Sequence, residues 1–151
     1  MKLSTRQDVA APIDTVFARV TDFQRFERQA MRRGISVTRA DPPAGAPGPA
    51  WAADVTYRGR KRALDVFIET VEPTERCTAL TLTSGVECRL EARLIALSPA
   101  ETRMMVSIDM RPRTMAGRMF LQTLKLAKST LAKRFEDRVA AFATEIGDAT
   151  A

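Results

Sequence analysis

Two hydrophobic periods divide the chain. From Ile35 to Met110 apolar residues recur mainly at every second position, and from Thr114 to Ile146 at every third or fourth. The first period predicts half-buried strands and the second a long amphipathic helix. In the strand region Trp51, Ala53, Val55 and Tyr57 oppose Ala52, Asp54, Thr56 and Arg58, and Leu64, Val66 and Ile68 oppose Asp65, Phe67 and Glu69. Val86, Cys88, Leu90, Ala92 and Leu94 then alternate with Glu87, Arg89, Glu91 and Arg93, and Met104, Val106, Ile108 and Met110 with Arg103, Met105, Ser107 and Asp109. In the helical region Phe120, Leu124, Ala127, Leu131, Phe135, Val139, Phe142 and Ile146 form one stripe, predicting one continuous helix of about nine turns.

The N-terminal third is mixed. Leu3, Thr5, Gln7 and Val9 alternate as a weakly apolar strand. Pro12 and Asp14 suit a first helical turn, and Ile13, Val16, Phe17 and Val20 give a short helix its stripe. Thr21-Asp22 reads as a break and a new N-cap for a second short helix carrying Phe23, Phe26 and Ala30, which ends near Gly34. Residues 41–49, rich in Pro and Gly, form a loop, and Arg58 to Arg62 a tight basic turn, in which Arg58, Arg60, Lys61 and Arg62 are either solvated or ring a pocket entrance. Thr83-Ser84-Gly85 is expected to be a three-residue hairpin loop, because that register sets Leu82 opposite Val86 and Leu80 opposite Cys88. The same register sets Cys77 opposite Glu91, away from Cys88, and predicts no disulfide. Thr114 is the expected N-cap of the long helix. The order is one strand, two short helices, six strands and one long helix.

Composition narrows the function. A chain of 151 residues fits a single domain, 1–151, with a sizeable core. The N-terminus has no apolar run and the chain no stretch of about 18 apolar residues, so a cytoplasmic protein is expected. There is no histidine, and Cys77 and Cys88 alone do not complete a zinc shell, so no metal site, no cofactor and no Ser-His or Cys-His nucleophile is predicted. Catalysis would have to rely on Asp, Glu, Lys, Tyr or bound water. The net charge of +6 points toward anionic partners. However, 19 of the 24 basic residues are arginine in an Ala-rich chain, and no helix-turn-helix, zinc module or aromatic-basic strand accompanies them, which argues against nucleic acid.

The opening Asp8-Val9-Ala10-Ala11-Pro12-Ile13-Asp14-Thr15-Val16-Phe17, with Thr21-Asp22-Phe23 after it, resembles the START-like, birch-pollen-allergen-like (SRPBCC) superfamily, polyketide-cyclase and lipid-transport types included. The motif covers residues 8–26; the element order extends the resemblance over nearly the whole chain. It implies an α+β helix-grip fold, in which a curved antiparallel sheet of about seven strands wraps a long C-terminal helix around a hydrophobic cavity. The histidine and iron-ligand sets of ring hydroxylases are missing, as is the Pro- and aromatic-rich start of the quinone-binding branch.

On that resemblance the cavity wall comprises Trp51, Val55, Tyr57, Val66, Ile68, Leu80, Leu82, Cys88, Leu90, Met104, Val106, Ile108 and Met110. Phe120, Leu124, Leu131 and Phe135 of the helix close it. Tyr57 offers a hydroxyl, and Lys128, at the edge of the helix stripe, an ammonium for a carboxylate. The expected ligand is a hydrophobic small molecule or lipid, neutral or anionic, bound or carried without being changed. The alternative is a polyketide-cyclase-like enzyme in which Tyr57, Asp109 or water moves protons. A third reading uses the outer helix face. Met115, Met119 and Leu126 lie there beside basic residues, in a stretch with seven positive charges and no negative one between Asp109 and Glu136, suiting an anionic membrane, a protein partner or a homodimer.

Overall fold

The computed structural model describes all 151 residues. Its elements are β1 (Lys2–Val9), α1 (Ile13–Val20), α2 (Phe23–Arg32), β2 (Ser36–Ala40), β3 (Ala50–Tyr57), β4 (Arg60–Glu72), β5 (Arg76–Thr83), β6 (Val86–Ser98), β7 (Glu101–Pro112), α3 (Met115–Leu126) and α4 (Lys128–Thr150). The strands form one antiparallel sheet in the order β1-β7-β6-β5-β4-β3-β2, so only β1 joins out of sequence, pairing with β7. Asp22 caps α2 by accepting from the Arg25 amide, and Thr114 caps α3 by accepting from the Gly117 amide at 2.9 Å. No helix is long and apolar enough to cross a membrane.

Two expectations are corrected. The β5–β6 hairpin has a two-residue turn, Ser84-Gly85, both at positive φ (51° and 74°), as a type I′ turn requires. Thr83 therefore faces Val86, Leu82 faces Glu87, Leu80 faces Arg89 and Cys77 faces Ala92. One residue of slip turns Leu80 and Leu82 to the outer face, where Leu82 is 45% exposed. The right-handed twist of the strands outweighs the apolar pairing that the longer loop would have given. Both cysteines remain free thiols, and burial raises the pKa of each.

The C-terminal helix is two helices. At Ala127 the amide bonds the Leu124 carbonyl at 3.0 Å, a tightened i→i+3 turn, and the Leu131 amide restarts the ladder on the Ala127 carbonyl at 2.9 Å. No Gly or Pro marks the place. The break lets the halves follow different strands: α3 lies against β7 and β6, and α4 runs along β1. Leu121 of α3 enters one apolar cluster with Leu3, Val86 and Met110, whereas Val139, Ala143 and Ile146 of α4 enter another with Val9, Val16, Leu94 and Met104.

Polar anchors fix the helices at both ends. Glu145 of α4 accepts from Arg19 of α1 at 2.8 Å and also bonds Arg25 of α2. The Arg19 hydrogen bond, then Arg25, hold its pKa below that of an ordinary glutamate. At the other end the β5–β6 turn meets the first turn of α3. The Arg113 amide donates to the Gly85 carbonyl at 2.8 Å, and a Cβ on Gly117 would sit 1.9 Å from that same oxygen. Helix propensity alone makes Gly117→Ala stabilising by about 1 kcal/mol. The contact predicts the opposite sign, a loss of about 1–3 kcal/mol from overpacking, read as a lower denaturant midpoint. A raised midpoint would show that the turn and α3 are not in contact.

Candidate functional site

Only 19 residues are buried, and 15 of them form two apolar clusters rather than one. The larger lies under α1 and α4 and the smaller under α3, with Phe135 of α4 touching both. Between them on the same face of β6 stands Leu90, aligned across the sheet with Ala79 of β5 and Ile108 of β7. Its neighbours on that face, Val86 and Leu94, are 2% and 5% exposed, whereas Leu90 is 41% exposed. A leucine in the middle of a seven-stranded sheet, facing the helices, is therefore uncovered: sheet and helices enclose a trough there instead of meeting.

The residues anticipated from the sequence divide around this trough. Val66, Val106 and Ile108 are half-buried on the inner face, and Phe120 and Leu124 are half-buried on α3. Ile68, Met104 and Met110 face the same way but are 4%, 0% and 8% exposed, so their surfaces are already taken by core neighbours. Trp51 seals α2 onto the sheet. Its ring meets Phe23 edge-on at 6.1 Å, Arg39 lies over its face, and its N–H donates to Glu27 at 3.1 Å. That hydrogen bond is the main reason the Glu27 pKa is lowered, with Arg39 adding to it. Lys128, the first residue of α4, is exposed and makes no ion pair. Asp109 points to the outer face, where Arg111 holds it at 3.1 Å, so it takes no part in chemistry inside the trough.

The polar group at the trough's end is one of the basic residues expected either in a solvated turn or at a pocket entrance. The β3–β4 turn is only Arg58-Gly59, at positive φ (52° and 74°), which leaves Arg62 inside β4, opposite Val55 and on the inner face with Leu64 and Val66. Its guanidinium lies 4.3 Å from the centre of the Phe120 ring and 5.9 Å from that of Tyr57, and the two rings meet edge to face at 6.1 Å. Nη1 donates to Ser84 Oγ at 2.7 Å, and Nε is buried without an acceptor. The signal for it was the alternation Arg62, Leu64, Val66, Ile68, hidden by assigning Arg62 to the turn.

Neither a protein-family model nor a curated protein sequence matches the chain. Solved structures do match. The Zhui aromatase/cyclase from Streptomyces sp. R1128 is similar with a TM-score of 0.64, covering 95% of this chain and 93% of its own at 15% identity. A START superfamily protein from Mycobacterium smegmatis is similar with a TM-score of 0.54, covering 88% and 95% at 16% identity. The fold is the START-like helix-grip fold. A norcoclaurine synthase from Thalictrum flavum shares it, with a TM-score of 0.66 over 96% of this chain and 94% of its own at 10% identity. At these identities the likeness is one of fold.

Within this helix-grip fold, two concavities lie outside the grip. One of about 500 Å³ sits on the outer sheet face among Lys2, Ser4, Arg6, Glu91, Arg93 and Ser107, and one of about 270 Å³ among Arg25, Arg28, Gln29 and Arg32 of α2. The first is an open surface that mixes these groups with Met105 and Val106, and the second is lined by polar and charged side chains alone, unlike the apolar enclosure that organic ligands favour. The apolar surface left open at Leu90 is the candidate site on the gripping face. Its openness predicts unequal costs for two alanine substitutions in one strand: about 2–5 kcal/mol for buried Leu94→Ala and under about 1 kcal/mol for Leu90→Ala. Equal losses in denaturant unfolding would mean that the helices close on Leu90.

Proposed function

We propose that the protein binds a hydrophobic, anionic small molecule or lipid in the trough between sheet and helices, and carries it without changing it. The observation that supports this reading is the exposure of Leu90 on the gripping face. Covering apolar surface contributes roughly 2.5 kcal/mol per 100 Å², so a ligand seated across Leu90, Val66 and Ile108 supplies the contacts that α3 and α4 leave unmade. Helix-grip proteins of similar fold include an aromatase/cyclase and an allergen, Ara h 8.0201, so the architecture serves more than one role. For a cyclase reading, Tyr57 is the remaining side-chain candidate, since Asp109 lies on the other face.

A transient contact with an anionic membrane or a second copy of the chain is also proposed, through the outer face of α3. Met115, Met119 and Leu126 are 71%, 64% and 89% exposed there, and Arg118 and Lys125 beside them have no carboxylate partner. The ligand reading is tested by native mass spectrometry of the purified protein. Wild type is expected to carry a co-purifying mass that denaturation releases. Leu90→Arg, which fills the trough with a charge at an already open position, is expected to lose that mass while remaining folded. Retention of the same mass by Leu90→Arg would place the ligand elsewhere, and a wild type of bare protein mass would contradict the reading.

A further inference from the structure

Arg62 differs in setting from every other cation in the chain. Nine of the 19 arginines are within ion-pair distance of a carboxylate: Arg19, Arg25, Arg39, Arg76, Arg89, Arg93, Arg103, Arg111 and Arg113. Of the ten that are not, nine are exposed to water. All five lysines are exposed as well. Among the side chains, Arg62 alone is a half-buried cation with no counter-charge; the part-buried Met1 ammonium is bonded to the Met110 carbonyl. Taking a charge out of water is costly unless it is paired and hydrogen-bonded, so an unpaired cation kept at such a position marks a site for an anion from outside.

The geometry fits one class of anion. A guanidinium has five N–H donors in a plane, and the protein supplies a single acceptor, Ser84 Oγ. The group lies over the face of Phe120, where the cation meets the ring's negative quadrupole. A ring contact uses none of the N–H donors, so the guanidinium keeps a fork of them for an acceptor from outside, the pattern that a planar carboxylate matches. Tyr57, edge-on to Phe120, adds a hydroxyl that bonds no protein group. Leu64 and Val66 follow Arg62 on the same face of β4, and Ile68 is aligned through Ala79 with Leu90. From Arg62 to the Leu90 row is six residues of strand, or about 20 Å.

We infer that Arg62, with Tyr57 and Phe120, is a carboxylate site at one end of the trough, and that the ligand is an elongated hydrophobic carboxylic acid lying along Leu64 and Val66 toward Leu90. The inference rests on the trough being the ligand site. Neighbouring Arg58, Arg60 and Lys61 at the hairpin tip are exposed and draw the acid to that end from solution.

The test compares dodecanoate with dodecanol, which share a chain and differ in charge, as competitors of the neutral fluorescent probe N-phenyl-1-naphthylamine. Wild type is expected to bind dodecanoate at least tenfold tighter than dodecanol. Arg62→Gln is expected to lose that preference and keep its affinity for dodecanol, which also reports that the variant is folded. Arg62→Lys retains the charge without the planar fork and is expected to fall between them. Equal weakening of both ligands in Arg62→Gln would make Arg62 a packing residue and overturn the inference. An undiminished preference for the acid would overturn it too, leaving the trough reading standing. Failure of wild type to bind either ligand or the probe would remove the trough reading, and the carboxylate site with it.

Discussion

The structure turns on a mismatch of area: the gripping face of the seven-stranded sheet is wider than the helices laid on it. α4 runs along β1 and α3 reaches β7 and β6, so the inner face is dry at two separated places and open between them. Cores normally close-pack because unfilled space forfeits contacts on every side. Here Leu90 keeps 41% of its surface in the middle of the strongest apolar alternation in the chain. The missing contacts are those the proposed ligand would supply, and the fold tolerates their absence because the two apolar clusters form on either side.

Keeping the gap open requires that the helices be held by something other than the trough. At one end Glu145 ties α4 to α1 and α2 through Arg19 and Arg25; at the other, the Gly85–Gly117 approach and the Thr114 cap seat α3 on the β5–β6 turn. Trp51, with Phe23, Glu27 and Arg39, fixes α2 to the far edge of the sheet. These anchors lie at the periphery. The break at Ala127 belongs to the same scheme, since two shorter helices can each meet a cluster that one continuous helix would meet along a single line.

The element order, the caps at Asp22 and Thr114, and the inner faces of β3, β6 and β7 were legible in the sequence, because alternation and capping are local signals. What was not legible came from turn geometry and tertiary fit. Apolar pairing favoured a three-residue loop before Val86, but strand twist selected Ser84-Gly85, and that one-residue difference moved Leu80 and Leu82 to the outer face. The same kind of tight turn at Arg58-Gly59 brought Arg62 inside, where a run of basic residues had read as a solvated turn or a pocket entrance. Periodicity marks which residues face inward; it carries no record of which are then covered. Met104 and Leu90 follow the same pattern, yet one is 0% and the other 41% exposed.

The most direct test is a crystal structure of the protein soaked or co-crystallised with dodecanoate. The account predicts density for the chain along Leu64 and Val66 in the direction of Leu90, with the carboxylate against the Arg62 edge and α3 and α4 in place above it. Density confined to the outer sheet face, or a trough closed by α3 and α4 over Leu90 with no ligand inside, would contradict it.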